Sequence, residues 1–162
     1  MSFVLKNVSR ATAGGDPSMG LSFLKLNAGW NAEPNAPWPR VAISGHHVLL
    51  RFLLNPFRFT SFAEEDERVL RFKDCARYRL GPTNDEGWSR GQCRYNKWAP
   101  SWGELYEISG PDPNLMQPTD WKIAGGASTT SRHFLFYFRD ETFECLADNW
   151  SFDPVPENAL IH

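Results

Sequence analysis

The chain has 162 residues, enough for one domain that buries roughly two-thirds of the surface its unfolded form exposes, so neither a metal nor a disulfide is required for a core. Its net charge of −2 argues against general adhesion to nucleic acid or an anionic membrane, and no run approaches the ~18 apolar residues of a spanning helix. Cys75, Cys93 and Cys145 are widely spaced and form no CxxC pair, and the opening MSFVLKNV lacks the blocks of a secretion signal, so reduced thiols in a cytoplasmic protein are expected.

Charge is unevenly distributed. Residues 1–67 carry six basic and six acidic side chains, residues 68–98 eight against three, and residues 99–162 three against ten, giving 0, +5 and −7. Such regions neutralise each other across a fold or face a partner as a bipolar surface. The 12 Phe and 7 Trp exceed what packing alone demands and suit either a wide β core or a binding surface.

In chain order, Phe3 to Val8 is a predicted opening strand, followed by a small-residue stretch from Ala11 to Gly20 and a second strand over Leu21 to Leu26. The Pro-rich segment 29–40 cannot donate a full ladder and reads as an ordered loop, with Trp30 and Trp38 expected as clasps that pin it to the body. Val41 to Leu54, split by Gly45, gives a short strand and a longer one, His47 to Leu54, whose near-continuous apolar run predicts burial on both faces. Thr60 to Phe72 has helical features, a Ser61/Glu64 capping box and Glu64–Arg68 spacing, but a strand after an acidic turn at Glu64 to Glu67 fits better. Cys75 to Leu80 and Trp88 to Tyr95 read as strands joined by the turn residues Gly81 to Gly87, and Gly103 to Ser109 as another. Trp121 to Ala124 is a short edge strand, and the tail is irregular from about residue 153.

His133 to Trp150 is the organising hairpin. Phe134, Phe136 and Phe138 alternate with Leu135, Tyr137 and Arg139, and a turn at Asp140-Glu141 places Phe138 opposite Phe143, Phe136 opposite Cys145 and Phe134 opposite Ala147. One face is then apolar, while Tyr137 and Glu144 lie on a reverse face open to water or a polar cleft. The expected fold is mainly β: residues 1–162 as a single domain, an antiparallel sheet curled into a sandwich or barrel, with at most one or two short helices.

Chemistry concentrates between Arg77 and Glu107. Alternation puts Arg77 and Arg79 on one side of their strand and Arg90 and Arg94 on one side of the next; beside Trp88 these guanidiniums suit a carboxylate, a phosphate or an acidic protein. Paired carboxylates are not supplied by any one segment: Glu104 shares a face with Tyr106, while Glu107 shares one with Leu105. Glycoside hydrolysis needs two carboxyls about 5 to 9 Å apart, so only a long-range pair such as Glu104 with Glu144 would serve. His46 and His47 are consecutive and point apart, no P-loop, GxGxxG or GxSxG occurs, and neither a metal nor a cofactor is expected.

The sequence therefore reads first as a non-enzymatic binding module, engaging a protein partner or a small anionic ligand. Its candidate face comprises Arg77, Arg79, Trp88, Arg90, Arg94, Trp102, Glu104, Tyr137 and Glu144. The alternatives are a small hydrolase-like enzyme using Glu104 or Glu144 in an aromatic pocket, and a structural subunit of a homo-oligomer.

Overall fold

A computed structural model describes residues 20–82, 95, 101 and 103–156. Every regular element among them is a strand, in order β1 (Ser22–Lys25), β2 (Arg40–Ser44), β3 (His47–Leu53), β4 (Glu67–Lys73), β5 (Arg77–Pro82), β6 (Leu105–Ser109), β7 (Lys122–Ile123), β8 (Arg132–Tyr137), β9 (Glu141–Ala147) and β10 (Asn149–Asp153). They form a six-stranded sheet, β1-β6-β8-β9-β5-β7, and a four-stranded sheet, β10-β4-β3-β2, with every pairing antiparallel. The sheets pack face to face and do not close into a barrel, so of the two expected architectures the sandwich holds. No described helix is long and apolar enough to cross a membrane.

The core is aromatic because period-two strands aim their rings into the gap between the sheets. Phe134 and Phe136 of β8 and Phe143 of β9 meet Phe52 of β3 and Phe72 of β4, with ring centroids 5.2 to 5.3 Å apart for Phe72–Phe134, Phe52–Phe136 and Phe72–Phe143. All five rings are inaccessible to water, and each such burial stabilises the fold by roughly 1.5–3 kcal/mol. Trp30 does clasp the Pro-rich loop to this core, stacked on Phe152 at 4.1 Å. Trp38 does not: it is 58% exposed.

Three expectations are corrected in detail. The hairpin register is shifted by two residues: Phe136 pairs with Phe143 and Phe134 with Cys145. The turn starts early because Phe138 leaves the strand, donating its N–H to the Glu141 carbonyl (2.7 Å) and stacking on Phe136 at 4.3 Å. Parity survives a shift of two, so the same rings stay inside. Second, β3 is covered on one face only; Val48, Leu50 and Phe52 are buried while His47, Leu49, Arg51 and Leu53 are half-exposed. Third, Asn149 and Trp150, expected at the end of the hairpin, begin a separate strand, β10, that pairs with β4 of the other sheet. The acidic turn before β4 forms as predicted, with the strand starting at Glu67. The predicted opening strand at Phe3–Val8 lies outside the described residues, as does all of Trp88–Tyr95 except Tyr95, which sits in a turn at φ 64°.

The reverse face of the six-stranded sheet is itself covered. Leu21, Tyr95, Tyr106, Ile108, Leu135 and Tyr137 make a second apolar cluster there, and Tyr137 and Glu144 are fully buried where an open face was expected. Arg79, His133, Thr142 and Glu144 on this face are buried, while Arg77 stays half-buried.

Candidate functional site

Antiparallel pairing places Arg79 of β5 directly opposite Glu144 of β9, and Glu144 opposite Leu135 of β8, with His133 one step along the same face. A buried carboxylate requires partners for both oxygens. Glu144 has them: Arg79 Nη1 donates to Oε2 and His133 Nε2 lies against Oε1, each at 2.9 Å. Arg79 turns the rest of its fork to Asp120, with Nε and Nη2 donating at 2.6 and 3.1 Å. The bidentate fork needs room, which Gly81 supplies. A Cβ at that position would stand 2.5 Å from Asp120 Oδ2 and 2.7 Å from Arg79 Nη2.

The charges reinforce the geometry. Burial alone would lower the Arg79 pKa, but the hydrogen bonds and charges of Asp120 and Glu144 outweigh it and hold the guanidinium more firmly protonated than usual. The same hydrogen bond from Arg79 depresses the Asp120 carboxyl. Arg79, drawn from the basic middle of the sequence, is thus neutralised by carboxylates from the acidic C-terminal third.

His133 is the member of this network that reaches a cavity. An ionised Glu144 only accepts, so Nε2 carries a proton; in a neutral ring that leaves Nδ1 as an acceptor. Nδ1 has no hydrogen-bond partner among the described residues, and the side chain is 8% exposed. The ring lines a cleft of about 440 Å³ bounded by Glu107 to Gly110 at the end of β6, by Asp112 and Leu115, by Thr130 to Arg132 entering β8, and by Leu146. Tyr95 packs edge-on to the imidazole at 5.9 Å and donates its hydroxyl to Asp112, which also accepts from the Asn114 N–H at 3.0 Å.

Arg132 is not free to bind an anion in this cleft. It grips Glu107 in a bidentate pair, Nε to Oε2 at 2.9 Å and Nη2 to Oε1 at 2.8 Å, which raises its pKa against the opposing effect of burial. The wall at Thr130 is fixed from outside: Asp148 Oδ1 accepts from the Thr129 and Thr130 N–H groups and from the Ser128 and Thr130 hydroxyls, at 2.8 to 3.0 Å. At the opposite wall, Gly110 has φ 102° and its backbone lies against the Gly20 carbonyl, where a Cβ would stand 1.8 Å away. Only glycine fits there.

Of the residues expected at the site, Arg79 and Glu144 are brought together. Arg77 shares their face, half-buried opposite Leu146, and Tyr137 shares it in the apolar cluster beside Thr142. Glu104 is elsewhere. It accepts from Asn27 Nδ2 at 2.5 Å and Asn31 Nδ2 at 3.0 Å, with Asn55 bonded to Asn31 behind them, and Lys25 and Arg58 at 3.7 and 3.9 Å. Glu104 and Glu144 therefore serve separate networks, not one long-range carboxylate pair. Trp88, Arg90, Arg94 and Trp102 lie outside the described residues.

Sequence reasoning missed His133, Asp120 and Gly81 as parts of this arrangement. The signal for His133 was its parity: it stands on the same face as Leu135 and Tyr137, diagonal to Glu144. No group of three or more metal-ligating side chains occurs among the described residues; Cys75 and Cys145 are buried free thiols. Compared with known proteins, the chain matches no family model, no curated protein and no solved structure.

Proposed function

We propose that the protein is a binding module whose ligand enters the His133 cleft, and that the ligand is a small, neutral, polyhydroxylated molecule of the sugar or polyol class. The observation that carries this reading is an imidazole held through Nε2 by Glu144 at the wall of a cleft, its Nδ1 without a partner among the described residues. Such an acceptor selects a hydroxyl donor. Hydroxyls of Ser109 and Ser131 on the same cleft can return hydrogen bonds to the ligand's oxygens. The anionic ligand suggested by the arginine pattern is less well served, because Arg79 and Arg132 already hold carboxylates.

A thermal-shift screen against sugars, polyols, nucleotides and organic acids tests this, since a ligand that binds only the native state raises Tm. A neutral hydroxylated ligand is expected to stabilise the protein and to bind His133→Ala about tenfold more weakly, the loss of roughly one hydrogen bond. Stabilisation by organic acids alone, or unchanged affinity in the variant, defeats the reading.

The same dyad favours a second reading. A carboxylate behind an imidazole is the arrangement of a general base, with Glu144 as positioning residue and His133 accepting the proton of a bound hydroxyl or water. Hydrolysis of a glycoside or ester that falls about 100-fold or more in His133→Asn supports it. Saturable binding with no product formed leaves the module reading in place.

A further inference from the structure

We propose that a second site, the groove between the Pro-rich segment Asn35–Pro39 and the turn residues Asp140 and Glu141, binds an organic cation with an alkylammonium head. The groove holds about 360 Å³ and is lined by Asn35, Ala36, Pro37, Trp38, Pro39, Asp140 and Glu141. It lies apart from the His133 cleft and shares no lining residue with it.

Three unlike features converge there. Trp38 is one of the most exposed large apolar side chains, at 58%, yet its position is fixed. Arg40 stacks on the ring with its guanidinium carbon 3.5 Å from the centroid, donates from Nε to the Trp38 carbonyl at 3.2 Å, and is itself anchored to Glu67 at 2.7 Å. Pro37 and Pro39 flank the tryptophan and restrict its backbone. Arg40 already occupies one face of this indole, so the cation–π platform for a ligand is the surface it leaves exposed, and the Nε1–H has no acceptor among the described residues.

The carboxylates supply the charge. Neither Asp140 nor the Glu141 side chain has an ion-pair or hydrogen-bond partner among the described residues. Glu141 is half-buried, and burial together with the neighbouring Asp140 charge raises its pKa. The nearby guanidiniums are already engaged: Arg40 on Trp38 and Glu67, Arg139 through Nη1 on the Asn35 carbonyl at 3.3 Å, a bond that ties the turn to the Pro-rich wall. An incoming ammonium relieves the like-charge repulsion while its alkyl stem covers the indole and proline rings. A neutral sugar would cover the ring but leave both charges uncompensated.

The Trp38 indole N–H signal, assigned in a ¹H–¹⁵N spectrum by its loss in Trp38→Phe, is the direct probe. Titration with butylammonium and with N-acetyl-lysine methylamide is expected to shift that signal saturably, and glucose and acetate are expected to leave it in place. The double variant Asp140→Asn/Glu141→Gln keeps the ring and removes only charge; it is expected to fold with an unchanged or higher Tm and to bind either amine about tenfold more weakly. Tighter binding of the lysine derivative than of butylammonium identifies a side chain of a partner protein as the natural source, and equal binding a free amine. An unmoved Trp38 signal, or equal affinity in the double variant, overturns the proposal.

Discussion

Glu144 and Glu104 are both buried carboxylates on strands or strand ends of the same sheet, 0% and 5% exposed, but their partners differ in kind. Glu104 is held at close range by neutral amides, Asn27 and Asn31, which draw the loop after β1 and the Pro-rich segment onto the start of β6; Asn27 also accepts from the Leu105 N–H at 2.9 Å and donates to the Trp30 carbonyl at 2.6 Å. Glu144 is held by a guanidinium and an imidazole, and the imidazole faces a cleft. Both carboxylates are satisfied among the described residues, and a partner of Glu144 lines a cleft. Burial of a charge marks a network; the identity of its last member separates a staple from a candidate site.

Removing each carboxylate separates these roles. Glu144→Ala strips a buried charge from Arg79 and His133 and is expected to cost about 3 kcal/mol, the lower end for breaking a buried pair because Asp120 still holds Arg79. Urea unfolding measures it. Glu144→Gln is the sharper variant. Its amide can donate to Nε2, moving the ring proton to Nδ1, so the cleft would present a donor where it now presents an acceptor. The variant is expected to fold and to lose ligand binding as fully as His133→Ala. Equal binding by Glu144→Gln and wild type would place Glu144 with Glu104 among purely structural groups.

Glu104→Ala is the matched control. It leaves the Asn31 amide without its acceptor, while Asn27 keeps the Trp30 carbonyl, so about 1–3 kcal/mol is expected, with ligand binding in the His133 cleft unchanged. A loss of cleft binding at constant fold would join two networks that the geometry keeps separate.

What the sequence made legible was parity, and what it hid was layering. Period-two alternation assigned Phe134, Phe136 and Phe143 to the inside and Tyr137 and Glu144 to the reverse, and put Arg77 with Arg79 on one side of their own strand; those assignments survive the two-residue register shift. Nothing in a strand's own pattern says that its polar face will be roofed, because the roof comes from distant segments: Tyr95, and Asp120 in the loop before β7. The same limit explains β3. A continuous apolar run reads as two-sided burial, yet Leu49 and Leu53 face outward beside Arg51, whose guanidinium bonds Glu67. Arg79 looked available to an anion because its acceptors, Asp120 and Glu144, lie 41 and 65 residues away in sequence.

A third carboxylate gives the smallest expected effect and extends the series from buried to half-exposed. Asp148 is half-exposed, and its four hydrogen bonds, led by that from the Thr130 backbone, lower its pKa to about 2 from an ordinary 3.8. A depressed carboxyl contributes stability that is complete above the unfolded-state value and is lost as pH falls through the folded-state value. The window is therefore pH 4 down to 2. Because Asp148 fixes Thr129 and Thr130, the acid-sensitive element is one wall of the His133 cleft. The Tm difference between wild type and Asp148→Ala is expected to be constant above pH 4 and to close toward pH 2. Amide exchange at Thr129 and Thr130 should accelerate in the variant at neutral pH. A gap that stays constant down to pH 2 would mean that the wall is held by its backbone alone, and that the carboxylate only decorates it.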